Sequence, residues 1–156
     1  MSRAQRLLRF LYTLEVPRMG GAPVQAGAIC WRRGDEGLEI LLVTGRHSGK
    51  WGIPKGWALR GRPLHQTATR EAWEEAGVRG AADNRLAGMV VAPKSYPMVG
   101  TIPWKLLVYP LEVRQLEAIW PEQGERKRRW FSREQAARQV RHKALSQILA
   151  TFDPEP

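Results

Sequence analysis

Apolar runs separated by turn residues predict a chain that alternates between strands and helices. Residues 24–32 and 38–44 are mostly apolar and predict two strands. The segment Gly-Asp-Glu-Gly at 34–37 lies between them, and its composition predicts a hairpin turn. Residues 85–92 and 105–113, rich in Val, Leu and Tyr, predict two more strands. The segment between these last two strands predicts a loop because it contains Pro93, Pro97, Gly100 and Pro103.

Two helices are predicted by their end signals and by apolar residues at helical spacing. Pro63 suits the start of the first helix and Gly77 its end. The apolar row of this helix consists of Leu64, Ala68, Ala72 and Ala76. Ser132, followed by Gln135, predicts a capping box at the start of a final helix. The apolar face of that final helix consists of Ala136, Val140, Leu145, Ile148 and Leu149.

The first helix carries three carboxylates beside its apolar row. Counted from Leu64, Glu71 falls at about −20°, Glu75 at about +20° and Glu74 at about −80° around the helix axis. Like charges at these spacings repel one another by a few tenths of a kcal/mol per pair. A hard divalent cation removes that repulsion, because Mg²⁺ takes oxygen ligands. The alternative interpretation is an acidic helix face that is exposed to solvent.

The stretch around this helix resembles the Nudix box. The match covers residues 56–78 and is carried by Gly56, Arg70, Glu71, Ala72, Glu74, Glu75, Gly77 and Val78. One position departs clearly, because the family has a glutamate six residues after the first glycine and this chain has Arg62. Ala72 is also smaller than the usual aliphatic residue. The resemblance implies an α/β protein with the Nudix fold, a mixed β-sheet sandwiched between helices.

Features outside the box resemble one branch of that family, the diphosphoinositol polyphosphate phosphohydrolases and their bacterial relatives. They are Pro-Lys-Gly-Trp at 54–57, Trp-Pro-Glu at 120–122 and Arg-Lys-Arg-Arg-Trp-Phe at 126–131. The resemblance implies a hydrolase that cleaves a diphosphate bond in an inositol pyrophosphate or a dinucleoside polyphosphate. The arginine-rich pattern of residues 1–21 predicts a basic N-terminal extension, ahead of a Nudix hydrolase domain at residues 22–156.

The same resemblance implies a metal-dependent site. The carbonyl of Gly56 and the carboxylates of Glu71, Glu74 and Glu75 are expected to hold Mg²⁺, with Mn²⁺ as an alternative. One of these glutamates is expected to activate water, although family members differ in which group serves as the base. Arg70 is expected to orient a box glutamate. Charge and loop position nominate six substrate-binding residues: Arg32, Arg46, Lys50, Lys55, Lys94 and Arg126.

Composition narrows the choice of partner and compartment. The 156 residues contain 25 Lys and Arg against 15 Asp and Glu, a net charge of +10, and such an excess attracts polyanions. We expect a polyphosphorylated small molecule, although nucleic acid fits the charge nearly as well. The single cysteine, Cys30, excludes an internal disulfide and favours a reducing, cytoplasmic location. No apolar stretch reaches the length of a transmembrane helix.

Three other functions stay open at this point. The basic run at 126–129 also suits an enzyme that removes pyrophosphate from RNA 5′ ends. Alternatively, Arg62 marks a non-catalytic Nudix domain that binds a nucleotide or nucleic acid, although the three intact glutamates argue against this. Finally, the alternation of Arg and Leu within residues 1–21 suits a helix that lies on a membrane surface.

Overall fold

A mixed sheet flanked by helices forms the body of the protein. The computed structural model describes residues 18–19, 22–96 and 100–155. The strands are β1 (Arg18–Met19), β2 (Ala22–Gly34), β3 (Gly37–Thr44), β4 (Trp51–Gly52), β5 (Lys55–Trp57), β6 (Val78–Arg79), β7 (Gly88–Tyr96), β8 (Gly100–Glu112), β9 (Gln115–Leu116) and β10 (Arg128–Ser132). The helices are α1 (Leu64–Ala76), α2 (Arg133–Gln139) and α3 (Lys143–Ala150).

Strand β2 is the centre of the sheet. The main order is β10-β3-β2-β8-β7, and β1, β4 and β5 pair with its members at the ends. β2 and β3 form the predicted hairpin, with Gly34 opposite Gly37. β2 pairs in parallel with β8, which makes the sheet mixed. Near its start, β2 also pairs with β5, so that Gly56 lies opposite Ala26.

The helices cover both faces of this sheet, which confirms the predicted α/β sandwich. On one face, the small residues of α1 pack over β2, and Ala68, Ala72 and Ala76 are fully buried. On the other face, α2 and α3 cover a second apolar cluster that includes Ile29, Ile40, Leu42, Val108 and Leu149. The period-two alternation of each strand supplies side chains to both clusters.

Both predicted ends of α1 are confirmed. Pro63 is the N-cap of the helix, and Gly77 is its C-cap with a φ of 64° in the left-handed region, where glycine is favoured. The predicted capping box at α2 is also present. The Ser132 side chain accepts a hydrogen bond from the Gln135 N–H, and the Gln135 side chain accepts one from the Ser132 N–H.

Two predicted elements are wrong. The proline-rich segment is not simply a loop, because β7 and β8 continue through it as an antiparallel arm in which Pro93 lies opposite Pro103. β7 is an edge strand and β2 pairs with β8 only from Lys105 onward, so neither proline removes a hydrogen bond from the sheet interior. The single final helix is two helices, because Val140 adopts an extended conformation between them.

The predicted N-terminal extension, residues 1–21, lies outside the described residues except for Arg18–Met19, which pairs with the start of β2. Among the described residues, no helix is long and apolar enough to cross a membrane.

Candidate active site

The site forms where β5 passes under α1. The Glu71 carboxyl lies directly against Gly56, so close that a β-carbon at position 56 would lie within 3.0 Å of it. Only glycine permits this approach, and the space that a side chain would fill is occupied by the carboxyl. Burial and the neighbouring Glu75 and Glu74 charges raise the pKa of Glu71 to about 7. The Glu71 carboxylate is therefore short of compensating positive charge.

Glu75, one turn further along α1, is the most buried acidic residue in this part of the chain, with 7% of its surface exposed. Its carboxylate accepts hydrogen bonds from Arg126 Nη2 at 3.2 Å and from the Lys55 N–H at 3.4 Å. Burial raises the pKa of Glu75, and the charges of Arg126 and Lys55 oppose that rise. Glu75 is thus held in place from both sides.

Glu74 differs from the other two glutamates because it has an arginine partner on the same helix. It forms an ion pair with Arg70, one helical turn earlier, at 2.7 Å from Nε to Oε1. The described residues contain no group of three acidic, histidine or cysteine side chains that converges on one point. Glu71 and Glu75 differ by about 40° around the helix axis, whereas Glu74 differs from Glu75 by about 100°.

The C-terminal end of α1 is fixed by residues that follow β9. The Trp120 indole N–H donates to the Glu75 carbonyl oxygen at 3.1 Å, and the Glu122 N–H donates to that of Glu74 at 3.1 Å. Arg128 Nη1 donates to the Ala76 carbonyl oxygen at 2.8 Å. These donors satisfy carbonyls that the helix leaves unpaired, and the Arg128 charge suits the negative helix end. These hydrogen bonds therefore hold in place the turn of α1 that carries Glu74 and Glu75.

Arg126 connects this helix to the end of β3. Besides Glu75, it donates from Nη1 to the Thr44 carbonyl oxygen at 3.0 Å and from Nε to Glu122 at 3.3 Å. Glu122 also pairs with Arg46, which contacts Glu125 at 3.1 Å. Both arginines therefore already have carboxylate partners.

A cleft of about 430 Å³ opens beside Glu75. Its charged end includes Lys50, Lys55 and Arg126, whereas Trp51, Ile53, Val90, Trp104, Leu106, Val140 and Leu145 give it an apolar floor. The extended turn between α2 and α3 adds Arg141 and His142 to the rim. A volume of this order suits a small-molecule ligand with one charged and one apolar part.

Residues 22–152 match the family model of the NUDIX domain. The chain belongs to the Nudix hydrolase family. It is 30% identical to Nudix hydrolase 21, chloroplastic, of Arabidopsis thaliana over 78% of this chain and 60% of that protein. It is 32% identical to human diphosphoinositol polyphosphate phosphohydrolase 3-alpha over 74% of this chain and 68% of that protein. The chain thus spans about three fifths of the length of the plant relative.

Solved structures confirm the Nudix fold. The Ap4A hydrolase of C. elegans has a TM-score of 0.58 at 20% identity, over 83% of this chain and 94% of that one. The E. coli dihydroneopterin triphosphate pyrophosphohydrolase has a TM-score of 0.63 at 15% identity, over 83% of this chain and 93% of that one. At these identities the likeness concerns the fold alone.

The six predicted substrate-binding residues of this Nudix domain lie in different parts of the structure. Lys50, Lys55 and Arg126 line the cleft. Arg46 stands at the Glu122 end of the Arg126 network. Arg32 lies five residues beyond Gly27, the partner of Lys55, or about 16 Å further along β2, where it pairs with Glu39 at 2.6 Å. The backbone of Lys94 lies in the β7–β8 arm, opposite Ile102.

Sequence reasoning missed four residues that complete the site. Trp120 and Arg128 hold the end of α1, and Trp104 and Arg141 line the cleft. Arg128 could have been identified from the two-residue period of β10, because alternate residues of a strand face opposite sides of the sheet. No local signal identifies Trp104, which reaches the cleft only through the pairing of β8 with β2 and β7.

Proposed function

We propose that this protein is a metal-dependent Nudix pyrophosphohydrolase that cleaves a diphosphate bond in a polyphosphorylated substrate. The observation that carries the proposal is Glu75, a buried carboxylate that lines a cleft together with cations, with the half-buried Glu71 one helical turn before it. Family membership supports the reaction type. The Arg62 departure does not weaken it, since Arg62 is exposed on the loop before α1.

Divalent metal binding fits the groups around Gly56. Glu71, with its pKa raised to about 7, lies against a residue without a side chain, so its carboxyl is next to the backbone of Gly56. Glu71, Glu75 and the Gly56 carbonyl are the oxygen donors that would hold Mg²⁺ or Mn²⁺ there. A bound cation would offset phosphate charge and lower the pKa of water. Glu74 would serve as a further metal ligand and catalytic residue by exchanging its Arg70 partner for the cation.

The other residues position the reacting groups. Lys55 and Lys50 offer positive charge to the phosphates at the charged end of the cleft. Arg126 holds Glu75 and stands at the same end, where it can also contact a phosphate oxygen. Arg70 orients Glu74 through the ion pair between them on the exposed side of α1. Either Glu71 or Glu75 accepts the proton of the attacking water, because the two carboxylates lie about 40° apart around the helix axis and Glu75 lines the cleft.

The floor of the cleft favours a substrate with an apolar part. Relatives are named for diphosphoinositol polyphosphate and for Ap4A. An inositol polyphosphate is covered mainly by charged and hydroxyl groups, whereas a nucleobase offers a flat apolar face to the floor of the cleft. We therefore place dinucleoside polyphosphates ahead of diphosphoinositol polyphosphates as the substrate class.

The test is phosphate release from a panel of substrates in magnesium and in excess chelator. The panel contains diadenosine tetraphosphate, a diphosphoinositol polyphosphate, a nucleotide sugar and 5′-triphosphorylated RNA. We expect hydrolysis of at least one diphosphate bond in magnesium or manganese and none in chelator. Equal turnover in excess chelator contradicts metal dependence, and binding without turnover of any member supports a non-catalytic Nudix domain.

Two further proposals concern the extent of the domain and the location of the protein. We propose that residues 22–156 form the hydrolase domain and that the preceding residues form a separate extension. We also propose a reducing, cytoplasmic location, which is supported by a single cysteine, Cys30, that is fully buried. Fractionation of cells with an antibody against the protein tests the location.

A further inference from the structure

The two edges of the main sheet differ in how they are protected against pairing with another chain. At one edge, β10 is short and carries Arg128 and Arg129. At the other edge, β7 pairs with β8 alone among the described residues. Residues 88–92 of β7, which we call the free edge, contain neither a charged side chain nor a proline, and their register with β8 is continuous. Charges and prolines are the usual means by which a protein prevents pairing at an edge strand.

The direction of the backbone groups in the free edge follows from a pair of prolines further along the arm. Pro93 lies opposite Pro103. Because neither residue has an N–H, this pair belongs to the non-hydrogen-bonded set, which alternates with the hydrogen-bonded set along an antiparallel ladder. By that alternation, Val90 bonds to β8, whereas the N–H and C=O groups of Met89 and Val91 point away from β8. The free edge therefore offers backbone donors and acceptors to a further strand.

The side chains at these outward positions are apolar and exposed. Met89 is 45% exposed and Val91 is 52% exposed, and Leu86, just before the strand, is 48% exposed. These are three of the six large apolar side chains that are exposed among the described residues. Met89 and Val91 lie on one face of the strand because they are two residues apart. An apolar cluster beside unpaired backbone groups marks a surface for association.

The free edge is complementary to a second copy of itself. Pro93 ends it on one side because proline has no N–H to donate, and the strand begins at Gly88 on the other side. Val90 is the centre of the five residues between these limits. A two-fold axis at Val90 places Met89 opposite the partner subunit's Val91. Both residues have outward backbone groups, so each of the two equivalent pairs can form both of its hydrogen bonds.

We propose that the protein forms a homodimer in which the free edges of two copies pair antiparallel about Val90. A second copy fits this surface because the apolar cluster of each subunit covers that of the other, and two-fold symmetry uses every contact twice. With five backbone residues and three apolar side chains from each copy, the interface lies at the low end of specific interfaces, below about 1,200 Å² in total. The dimer is therefore weak and depends on protein concentration.

The dimer joins the two main sheets into one continuous sheet. Val90 lines the cleft, and residues that face each other across an antiparallel pair point to the same side of the sheet. The clefts of both subunits therefore lie side by side on one face. The inference goes beyond the proposed function and does not depend on it, because the interface contains neither Glu71 nor Glu75.

The test is sedimentation of the wild type, Val91→Glu and Ile119→Glu over about a hundredfold range of protein concentration. Val91→Glu should fold, because Val91 is exposed and lies opposite Lys105 of β8, which offers the new carboxylate a positive charge. Pairing would bury that carboxylate against the partner subunit's Met89, which is unfavourable. Ile119→Glu is the matched control, because Ile119 is 80% exposed and lies outside the sheet. Thermal melts confirm that each variant is folded.

We expect the wild type and Ile119→Glu to change from monomer to dimer at the same concentrations. Val91→Glu should need a concentration at least about tenfold higher. Association that Val91→Glu does not weaken, or that Ile119→Glu weakens equally, overturns the proposed interface. A wild type that stays monomeric at every concentration overturns the second copy as the occupant and favours an extended segment of another protein.

Amide hydrogen exchange, followed residue by residue by NMR, tests the backbone pairing. The N–H groups of Met89 and Val91 should exchange more slowly in a concentrated sample than in a dilute one, because pairing gives them hydrogen-bond acceptors. The N–H of Val90, which bonds to β8 in the monomer, should exchange at nearly the same rate in both samples. Association without slower exchange at Met89 and Val91 contradicts the paired strands.

Discussion

The contact between Gly56 and Glu71 gives a prediction whose magnitude follows from the structure. In Gly56→Ala, the new β-carbon would lie 2.7 Å from Glu71 Oε2 and closer still to the rest of the carboxyl. Ordinary van der Waals contact begins at 3.4 Å, so the carboxyl has to move by at least about 0.7 Å. A displacement of about 1 Å in a catalytic group can cost about a hundredfold in rate. We expect a loss of kcat of that order.

The same substitution should leave the fold intact. Position 56 has no left-handed φ, and the atom in the way belongs to the end of a flexible side chain. Alanine in place of glycine at a compatible backbone position even stabilises proteins by about 0.4–1 kcal/mol. We therefore expect a melting temperature within a few degrees of the wild type.

The assay is steady-state turnover of the best diphosphate substrate over a range of magnesium concentrations, with thermal melts of each sample. Gly124→Ala is the matched control, because a β-carbon at position 124 meets nothing within 4 Å. We expect Gly56→Ala to need more magnesium for half-maximal rate, whereas Gly124→Ala should match the wild type. If Gly56→Ala retains wild-type turnover and magnesium dependence, Glu71 does not act at this position.

Three further predictions concern single side chains. Because the folded state raises the pKa of Glu71 to about 7, its charge opposes folding above the unfolded pKa of 4.5. In chelator, thermal melts should thus show the wild type losing stability relative to Glu71→Gln between about pH 5 and pH 8; parallel curves contradict this. Arg62→Ala should lower kcat less than tenfold, since Arg62 is exposed on the loop; a hundredfold loss in the folded protein would put Arg62 in the site. Arg128→Ala should lower the melting temperature, because it leaves the Ala76 carbonyl at the end of α1 without its hydrogen-bond donor. An unchanged melting temperature refutes that role.

Local signals made α1 predictable from the sequence. Pro63 and Gly77 determine its ends through backbone preferences that act within a few residues, and both predicted ends are observed. The capping box of Ser132 and Gln135 is equally local. The angular positions of the glutamates also follow from helix geometry, which explains why Glu71 and Glu75 share one side.

Features that depend on distant contacts were not predictable in the same way. The break at Val140 carries no glycine or proline, and the side chain of this extended residue is buried in the cluster beneath the cleft. The proline-containing arm forms because its outer strand is a sheet edge, which only the full strand order reveals. The link between Arg126 and Glu75 spans 51 positions, so charge could nominate Arg126 without naming its partner.

The most direct test of the catalytic role of α1 is the turnover of Glu75→Gln. The substitution keeps the shape of the side chain, and Arg126 retains Glu122 and the Thr44 carbonyl as partners, so the protein should fold. Removing a charge that acts in the transition state costs about 3 kcal/mol, or at least about a hundredfold in kcat. We predict a loss of that size in a protein that melts normally. Full activity of folded Glu75→Gln in magnesium would contradict the account and make the glutamates of α1 a structural feature only.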